Sequence, residues 1–367
     1  MKNCSFVSLF TGKFSFNVIC MLKMRKSILI LVIVAPVVLA AAIVAMTFQN
    51  KIFRNNIRQG AGDVYFYIPT GSGFKDVIQL LENQKIVKDT ATFRWVAEKK
   101  NYPNHIYPGR YYIARGMSNN ELVNLLRSGS QEPVDLTFNH IRSLEKLAGV
   151  VGSQIEADSA ELLSLCRNRD YVESLGLTIE TLPGIFIPNT YKVYWNTDGK
   201  AFIGRMFKEY NNFWNDERDR KAVATGLNRM EVMTLASIVD EEALMKEEEA
   251  RIAGVYINRL KSGMRLQADP TIKFAVGDMN IQRVLKKQLQ IDSPYNTYTH
   301  AGLPPGPITV PSISSIDAVL NYEHHDYYYF CAKEDFSGYH NFAKTLAQHN
   351  KNAHSYQKAL DRRKILN

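Results

Sequence analysis

One carboxyl group lies where the spacing of its neighbours could make it an acid. If a helix continues to residue 242, Glu242 lies about 20° from Leu235, on an apolar face. Asp240 would then lie about 140° away, toward solvent. The apolar positions recur at intervals of three and four residues, as on an amphipathic helix: Val232, Leu235, Ile238 and Val239. The pattern predicts a single carboxyl group against an apolar wall.

Burial would give this carboxyl group a chemical use. Loss of hydration disfavours the ionised form, so the pKa of Glu242 would rise toward the range in which a glutamic acid donates protons near neutral pH. The opposing interpretation ends the helix at about Val239 and assigns Glu242 to a solvated acidic run within residues 240–249. Spacing alone leaves both interpretations open.

A second helix is expected directly after the first. Acidic residues 247–249 precede it and Gly263 follows it, as the helix dipole and a C-terminal glycine favour. The two helices would join near residues 244–246. The expected face of the second helix is formed by Ile252, Val255, Tyr256, Arg259 and Leu260.

The N-terminal region predicts a membrane anchor. Residues 27–48 are 22 uncharged and mostly apolar positions, enough for a helix across a bilayer. Basic residues flank this span on both sides and do not decide its orientation. We expect residues 1–26 in the cytoplasm, because a long C-terminal part follows one apolar span without a convincing cleavage site. This predicts a single-pass protein of the cell (inner) membrane with a periplasmic or extracytoplasmic remainder, joined by a polar linker, residues 49–62.

Composition bounds the remaining chain. Its 367 residues suffice for about two domains, and its net charge of +9 allows non-specific attraction to anionic lipid or acidic wall polymer. Nothing resembles a nucleic-acid-binding module, so no nucleic-acid partner is expected. No cofactor-binding pattern is present, and neither a disulfide framework nor a metal site is indicated by the spacing of Cys4, Cys20, Cys166 and Cys331.

Residues 63–132 contain an internal repeat with an offset of 45 residues, in which Tyr67-Ile68 recurs as Tyr112-Ile113. Each copy reads as a strand, a glycine turn and a helix. Ser118 and Glu121 carry a capping-box signature before the second helix, and residues 92–99 predict a further one. Two such units can pair their strands and cover one face with helices, which predicts a small α+β module.

Residues 133–367 predict a larger mixed α/β domain. Helices are expected at residues 143–154, 159–167 and 202–213, and a buried strand at residues 327–332. Proline and glycine predict ordered loops at residues 293–298 and 302–308. The predicted fold class is therefore α+β: one N-terminal transmembrane helix, a small α+β module and a larger mixed domain.

Several of these stretches resemble one family. LASIVDEEA at residues 235–243, residues 253–277 and SPYNTYTHAGLPPGPI at residues 293–308 are similar to the YceG-like family of endolytic murein transglycosylases. Similar stretches run from about residue 64 to residue 357. The catalytic glutamate of that family is the last acid of a SIV-x-x-E motif, so the resemblance implies Glu242 as the catalytic acid. It also implies that the 63–132 module is LysM-like and binds glycan.

The resemblance further implies a site and a mechanism. Glu242 would protonate the oxygen between N-acetylmuramic acid and N-acetylglucosamine, then accept the proton of the C6 hydroxyl, leaving a 1,6-anhydro end. The substrate would be nascent peptidoglycan strands, whose elongation would end on cleavage, and the partners would include peptidoglycan synthases, the penicillin-binding proteins. Substrate-binding residues are implied at Gln267, Asp269, Tyr295, Asn296, Thr297, Tyr298 and Asn350.

Other interpretations stay open. The chain departs from the family pattern at Pro183 and Gln348, which each replace an acid, and at Asn189, which replaces an aspartate. A hydrolytic muramidase would need a second carboxylate, Asp240 or Asp269. A third function is a non-catalytic, membrane-tethered scaffold that binds peptidoglycan, in which the 63–132 module could equally be a spacer. The loop residues 295–298 could simply pack their own loop, and structural roles for His340 and His349 are favoured over metal binding.

Overall fold

The computed structural model describes residues 33–58, 63–281 and 283–363. The chain separates into two compact units, residues 1–132 and 133–367. This division falls where the sequence places the boundary between the small module and the larger domain. The expected cytoplasmic segment 1–26, the first part of the expected span, residues 27–32, and residues 59–62 of the expected linker lie outside the described residues.

Helix α1, Ile33–Phe53, is the apolar element of the small unit. It has 21 residues, and its most apolar 18-residue window has a mean hydropathy of 1.9, with none of that window buried inside the protein. A helix of this length and composition is compatible with a single-pass membrane anchor. It continues past the expected end at residue 48, since Ile52 packs against the core of the small unit.

The prediction that residues 49–62 form a polar linker is wrong for their described part. Residues 49–53 complete α1, and Asn55 and Ile57 then form isolated β-bridges with Ser118 and Val87. Ile57 is 1% exposed and belongs to the hydrophobic core of the unit. Ile57 and the backbone bridges dock this segment, which its polar composition did not indicate.

The internal repeat forms the body of the small unit. Strand β1, Val64–Ile68, pairs antiparallel with β2, Gly109–Ile113, so the two copies contribute one strand each. The capping box is confirmed: the Ser118 hydroxyl accepts from the Glu121 amide, and the Glu121 carboxylate accepts from the Ser118 amide at 2.8 Å. The helices of this unit are α2 (Phe74–Asn83), α3 (Thr90–Lys99) and α4 (Asn119–Ser128).

The larger unit is mainly helical with two antiparallel ribbons. Strand β3 (Val134–Phe138) pairs with β4 (Asn189–Val193), and β5 (Tyr329–Ala332) pairs with β6 (His340–Ala343). Its helices are α5 (Leu144–Gly152), α6 (Ser159–Arg167), α7 (Arg169–Ser174), α8 (Gly199–Phe213), α9 (Asp216–Thr225), α10 (Arg229–Glu242), α11 (Glu249–Lys261), α12 (Asp269–Val276), α13 (Ile313–Leu320) and α14 (Leu346–Arg362). The mixed α+β class is confirmed.

Helix α10 is the buried centre of the larger unit. The Asn228 side chain caps its first turn in a capping box with Glu231, and residues 232–239 are all buried. The helix ends at Glu242, because the next residue, Ala243, adopts an extended backbone conformation. The interpretation that ended the helix at Val239 is therefore wrong.

Asp240 does not point into solvent as its position on the helix predicted. Its carboxylate accepts hydrogen bonds from the hydroxyls of Ser312 (2.6 Å) and Ser315 (2.7 Å), at the start of α13. The amide of Ser312 lies 3.3 Å from the second oxygen. Helix α10 is therefore covered by α13 on this side too, and Asp240 links the two helices.

Strand β5 is half-buried along its whole length, so the expectation of a buried strand is wrong. Within the described residues it pairs with β6 alone, and all four of its residues border a cavity. The ribbon is attached by His340 to the residue before α11, since its Nδ1 lies 2.8 Å from the buried carboxylate of Glu248. The His340 amide donates to the same carboxylate at 3.0 Å.

Candidate active site

Two neighbouring helices bring polar groups to Glu242, the last residue of α10. Tyr256, on α11, donates its hydroxyl hydrogen bond to Oε1 of Glu242 at 3.0 Å. The backbone amide of Asp269, the first residue of α12, also acts on this carboxyl group and lowers its pKa. The N-terminus of α12 therefore points at Glu242, and its partial positive charge favours an anion there.

The loop at residues 293–298 holds the start of α12 in place. The Thr297 carbonyl accepts from the Gln267 amide at 3.1 Å, and the Thr297 hydroxyl accepts from the Ala268 amide at 3.0 Å. Gln267 has a left-handed backbone conformation, with φ +51°. This loop thereby fixes the turn that brings Asp269 to Glu242.

The environment of Glu242 makes it a weak acid. Burial is the largest cause that raises the pKa of Glu242, and the negative charge of Asp269 adds to it, so that the pKa reaches about 7. The hydrogen bond from Tyr256, the charge of Lys273 and the amide of Asp269 act in the opposite direction. A group with this pKa exists in both protonation states at neutral pH, as a general acid that later acts as a base requires.

A cavity of about 420 Å³ opens over Glu242. The acid therefore keeps partial access to solvent even though its carboxyl group is poorly hydrated. Acidic and hydroxyl groups come from Asp269, Tyr256 and Tyr298. Basic and aromatic groups of the same cavity come from Arg259, Tyr329, Phe330, His340 and His349.

Arg259 connects three parts of the cavity. Its guanidinium donates to the carbonyls of Tyr328 (2.6 Å) and Leu266 (2.7 Å), which tie α11 to the β5–β6 ribbon and to the segment before α12. Arg259 is buried, and this burial lowers the pKa of its guanidinium. The side chain remains charged at neutral pH, because arginine does not lose its proton in proteins.

Asp269 has a hydroxyl partner of its own. Tyr298 donates to Oδ1 of Asp269 at 2.6 Å. This bond anchors the second carboxylate of the cavity beside Glu242, where its charge raises the pKa of the acid. His349, in contrast, stacks on Tyr329 with ring centroids 5.4 Å apart, and burial lowers its pKa, so it is neutral at neutral pH.

The expected site residues fall into two groups. Glu242, Gln267, Asp269 and Tyr298 line the cavity together. Tyr295, Asn296, Thr297 and Asn350 do not line this cavity.

Local hydrogen bonding and packing explain where three of these four residues lie. Asn296 is 0% exposed, and its amide donates to the carbonyls of Leu289 and Ile291 within its own loop. Thr297 holds α12 as described above. Tyr295 packs on Phe274, with ring centroids 4.5 Å apart, and borders a different cavity.

Sequence reasoning missed most of the basic and aromatic cavity residues. Tyr256 and Arg259 are three residues apart on α11, and such polar groups on an otherwise apolar face were the available signal. Tyr329 and His349 come from distant parts of the chain, and nothing in their local pattern points to Glu242. No group of three or more histidine, cysteine, aspartate or glutamate side chains suited to a metal ion occurs within residues 33–58, 63–281 and 283–363.

Comparison with known proteins places this architecture in a family. The endolytic murein transglycosylase of Bacillus subtilis is 30% identical over 308 residues, covering 79% of this chain and 83% of that protein. The endolytic murein transglycosylase of Streptococcus pneumoniae strain D39 is 30% identical over 300 residues, which cover 72% of this chain and 53% of that longer protein.

A solved structure and a family model agree with these relatives. The crystal structure of a putative YceG-like protein from Listeria monocytogenes matches with a TM-score of 0.52 and 29% identity, over 79% of this chain and 98% of that one. The sequence model of the YceG-like family matches residues 66–355. The chain therefore belongs to the YceG-like family.

Proposed function

We propose that this protein is an endolytic murein transglycosylase that uses Glu242 as its acid and base. The observation that carries the proposal is a single recessed carboxyl group, with a pKa raised to about 7, at the surface of a cavity of about 420 Å³. The names of the two relatives support the reaction class.

In the first step, protonated Glu242 donates its proton to the oxygen that joins N-acetylmuramic acid to N-acetylglucosamine. The bond to C1 of the muramic acid breaks, and positive charge develops at that carbon. The carboxylate of Asp269, held by Tyr298, lies in the same cavity and would stabilise this charge. The hydroxyl of Tyr256 and the amide of Asp269 stabilise the Glu242 carboxylate that results.

In the second step, the C6 hydroxyl of the same muramic acid attacks C1, and the Glu242 carboxylate takes up its proton. The product is a 1,6-anhydromuramoyl end, and no water is consumed. One carboxyl group suffices for both proton transfers, because the group that donates is regenerated when the hydroxyl gives up its proton.

The runner-up is a two-carboxylate muramidase, and one observation favours it. Asp269 accompanies Glu242 in the cavity, and a hydrolase needs a second carboxylate to activate water or to attack the sugar. Asp240, the other candidate, is engaged by Ser312 and Ser315 and does not line the cavity. The muramidase alternative therefore depends on Asp269.

The small unit would bring this chemistry to the membrane. We infer that α1 spans the cell membrane with residues 1–26 in the cytoplasm, and that the LysM-like module binds glycan. Nascent strands would then be cut near the membrane, which would end their elongation next to peptidoglycan synthases. The length and composition of α1 and the two repeated strand–helix units support this arrangement.

The test is mass spectrometry of glycan ends after uncrosslinked strands are incubated with the full chain in detergent. Glu242→Gln is compared with the matched variant Glu241→Gln, since Glu241 bonds Arg142 at 2.9 Å and does not line the cavity. Internal anhydromuramoyl ends that vanish only in Glu242→Gln would support the proposal. Reducing ends would favour the muramidase, and strand binding without cleavage would favour the scaffold.

A further inference from the structure

A second polar cavity lies within the small unit, where α1 meets the two repeats. It has a volume of about 290 Å³. Lys51 and Arg54, at the end of α1, border it together with Lys88, which precedes α3. Neither the reaction proposed above nor the family resemblance uses these residues. We call it the α1 cavity.

The α1 cavity carries an excess of positive charge. In the part of the chain that the structure describes, Lys51, Arg54 and Lys88 form no ion pair with an acidic side chain. The carboxylate at the cavity belongs to Asp89, which caps α3 by accepting from the Thr92 amide at 3.1 Å. Three cations therefore surround one carboxylate that is already bonded.

The cavity is built on a rigid base of buried amides. Asn56 and Asn119 are 6% and 1% exposed, and the Asn56 amide donates to Oδ1 of Asn119 at 2.7 Å. Asn119 in turn donates to the Lys51 carbonyl at 2.9 Å, which fixes the last turn of α1. Helices α3 and α4 both begin at this cavity, so their N-terminal dipoles add to its positive potential.

The position of the α1 cavity along the apolar helix indicates which kind of ligand it would meet. Lys51 and Arg54 lie at the C-terminal end of the apolar helix Ile33–Phe53, at the depth of lipid headgroups if that helix crosses a bilayer. With the N-terminus in the cytoplasm, these cations lie on the outer side of the membrane, where they do not contribute to orientation by the positive-inside rule. Binding of a ligand at the membrane surface would account for their presence.

We propose that the α1 cavity binds the phosphate group of a membrane lipid. Lysine, arginine and the amides of helix N-termini are the groups that bind phosphate oxygens in proteins. The phosphate can belong to a phospholipid headgroup or to the diphosphate of a polyprenyl-linked glycan, since both present it at this depth. The proposal rests on the membrane-spanning role of α1 but not on glycan cleavage.

The experiment is native mass spectrometry of the full chain in detergent, which counts bound lipids directly. Phosphatidylglycerol, diacylglycerol with the same acyl chains, and a polyprenyl diphosphate are titrated separately. The test variant combines Lys51→Gln, Arg54→Gln and Lys88→Gln. We expect it to weaken binding of the phosphate lipids on the order of a hundredfold, from the contribution of three cations near a phosphate surface.

The matched control combines Lys75→Gln, Lys85→Gln and Lys99→Gln, three exposed lysines of the same unit that do not border the cavity. It removes the same charge and should bind lipid as the unchanged protein does. Equal losses in both triple variants would mean diffuse attraction and would overturn the proposal. Equal binding of diacylglycerol would overturn it as well, because the acyl chains would then suffice.

Two further arms complete the design. Whichever phosphate lipid binds more tightly identifies the source of the phosphate, and either preference supports the site. Arg54→Gln alone, an exposed substitution, tests the cavity if the triple variant does not fold, and retained affinity in that case would overturn the proposal. Glu242→Gln should bind lipid as the unchanged protein does. The lipid-binding result can therefore be judged separately from any failure of the transglycosylase reaction.

Discussion

Tyr256→Phe should move the alkaline limb of the pH–rate profile to higher pH. The variant keeps the ring, which packs edge-on to Phe330, but removes the hydroxyl that lies 3.0 Å from Glu242. That bond stabilises the carboxylate, so it lowers the pKa of Glu242 from the value that burial alone would set. Without it, the pKa should rise from about 7, and Glu242 should stay protonated to higher pH.

The size of the shift follows from the bond lost. A hydrogen bond to a charged group contributes about 1.5–3 kcal/mol, and one to a neutral group about 0.5–1.5 kcal/mol. The ionised form therefore loses about 1–1.5 kcal/mol more than the neutral form, which corresponds to about 1 pKa unit. The rate at the optimum should fall as well, because the hydroxyl no longer stabilises the carboxylate formed in the first step.

The assay is the pH dependence of kcat/KM for the release of anhydromuramoyl ends. Activity should fall as pH rises through the pKa of Glu242, since the acid must be protonated to donate. Tyr329→Phe is the control, because Tyr329 lines the same cavity and its hydroxyl makes no hydrogen bond to Glu242. An unchanged limb, or one that moves to lower pH, would refute the assignment of Tyr256 as the partner of the acid.

Three further predictions concern stability. Because burial raises the folded-state pKa of Glu242 from 4.5 to about 7, the resulting stabilisation is present below pH 4.5 and lost through pH 7. Glu242→Gln should therefore unfold with about 3 kcal/mol more free energy than the unchanged chain at pH 8 and nearly the same at pH 4.5, as urea titrations would measure. Asp240→Ala should cost about 1–3 kcal/mol by losing the contacts with α13, yet leave the pH–rate limb in place; a shifted limb would contradict its structural role. Ser118→Ala should cost about 1 kcal/mol in thermal unfolding of the small unit, and restoration by Thr would confirm the cap.

Local sequence patterns predicted where the helices form, but they predicted less well which groups the side chains contact. The apolar stripe placed Glu242 against the core because α10 runs to that residue without interruption. The same helical wheel failed for Asp240, because a wheel assumes one buried face and α10 is covered on several sides. Burial by a neighbouring helix depends on the packing of the whole domain, which a local period does not contain.

The candidate site shows the same difference between what local patterns predict and what tertiary packing decides. Asp269 and Tyr298, which the resemblance implies as substrate-binding residues, line the cavity of Glu242, whereas Asn296 belongs to the interior of its loop. The type of a residue does not reveal whether its side chain forms hydrogen bonds within its own loop or points out of the loop into a cavity. Tyr329 was not expected, because its contact with the cavity depends on how the β5–β6 ribbon docks.

That ribbon bears on how a polymer enters the site. A two-stranded ribbon has little stability of its own in water, so β5–β6 keeps its position through its contacts with the rest of the unit. These are the bonds of Glu248 with His340 and of Arg259 with Tyr328, and the packing of Phe330 and Phe342 against the main core. Strand β5 is half-buried, whereas residues 232–239 of α10 are all buried, so we expect the ribbon to open at a lower free energy than α10. Its amides should exchange with solvent hydrogen before those of α10. If the ribbon opens in this way, the middle of a long chain could enter the cavity from the side, without a free end.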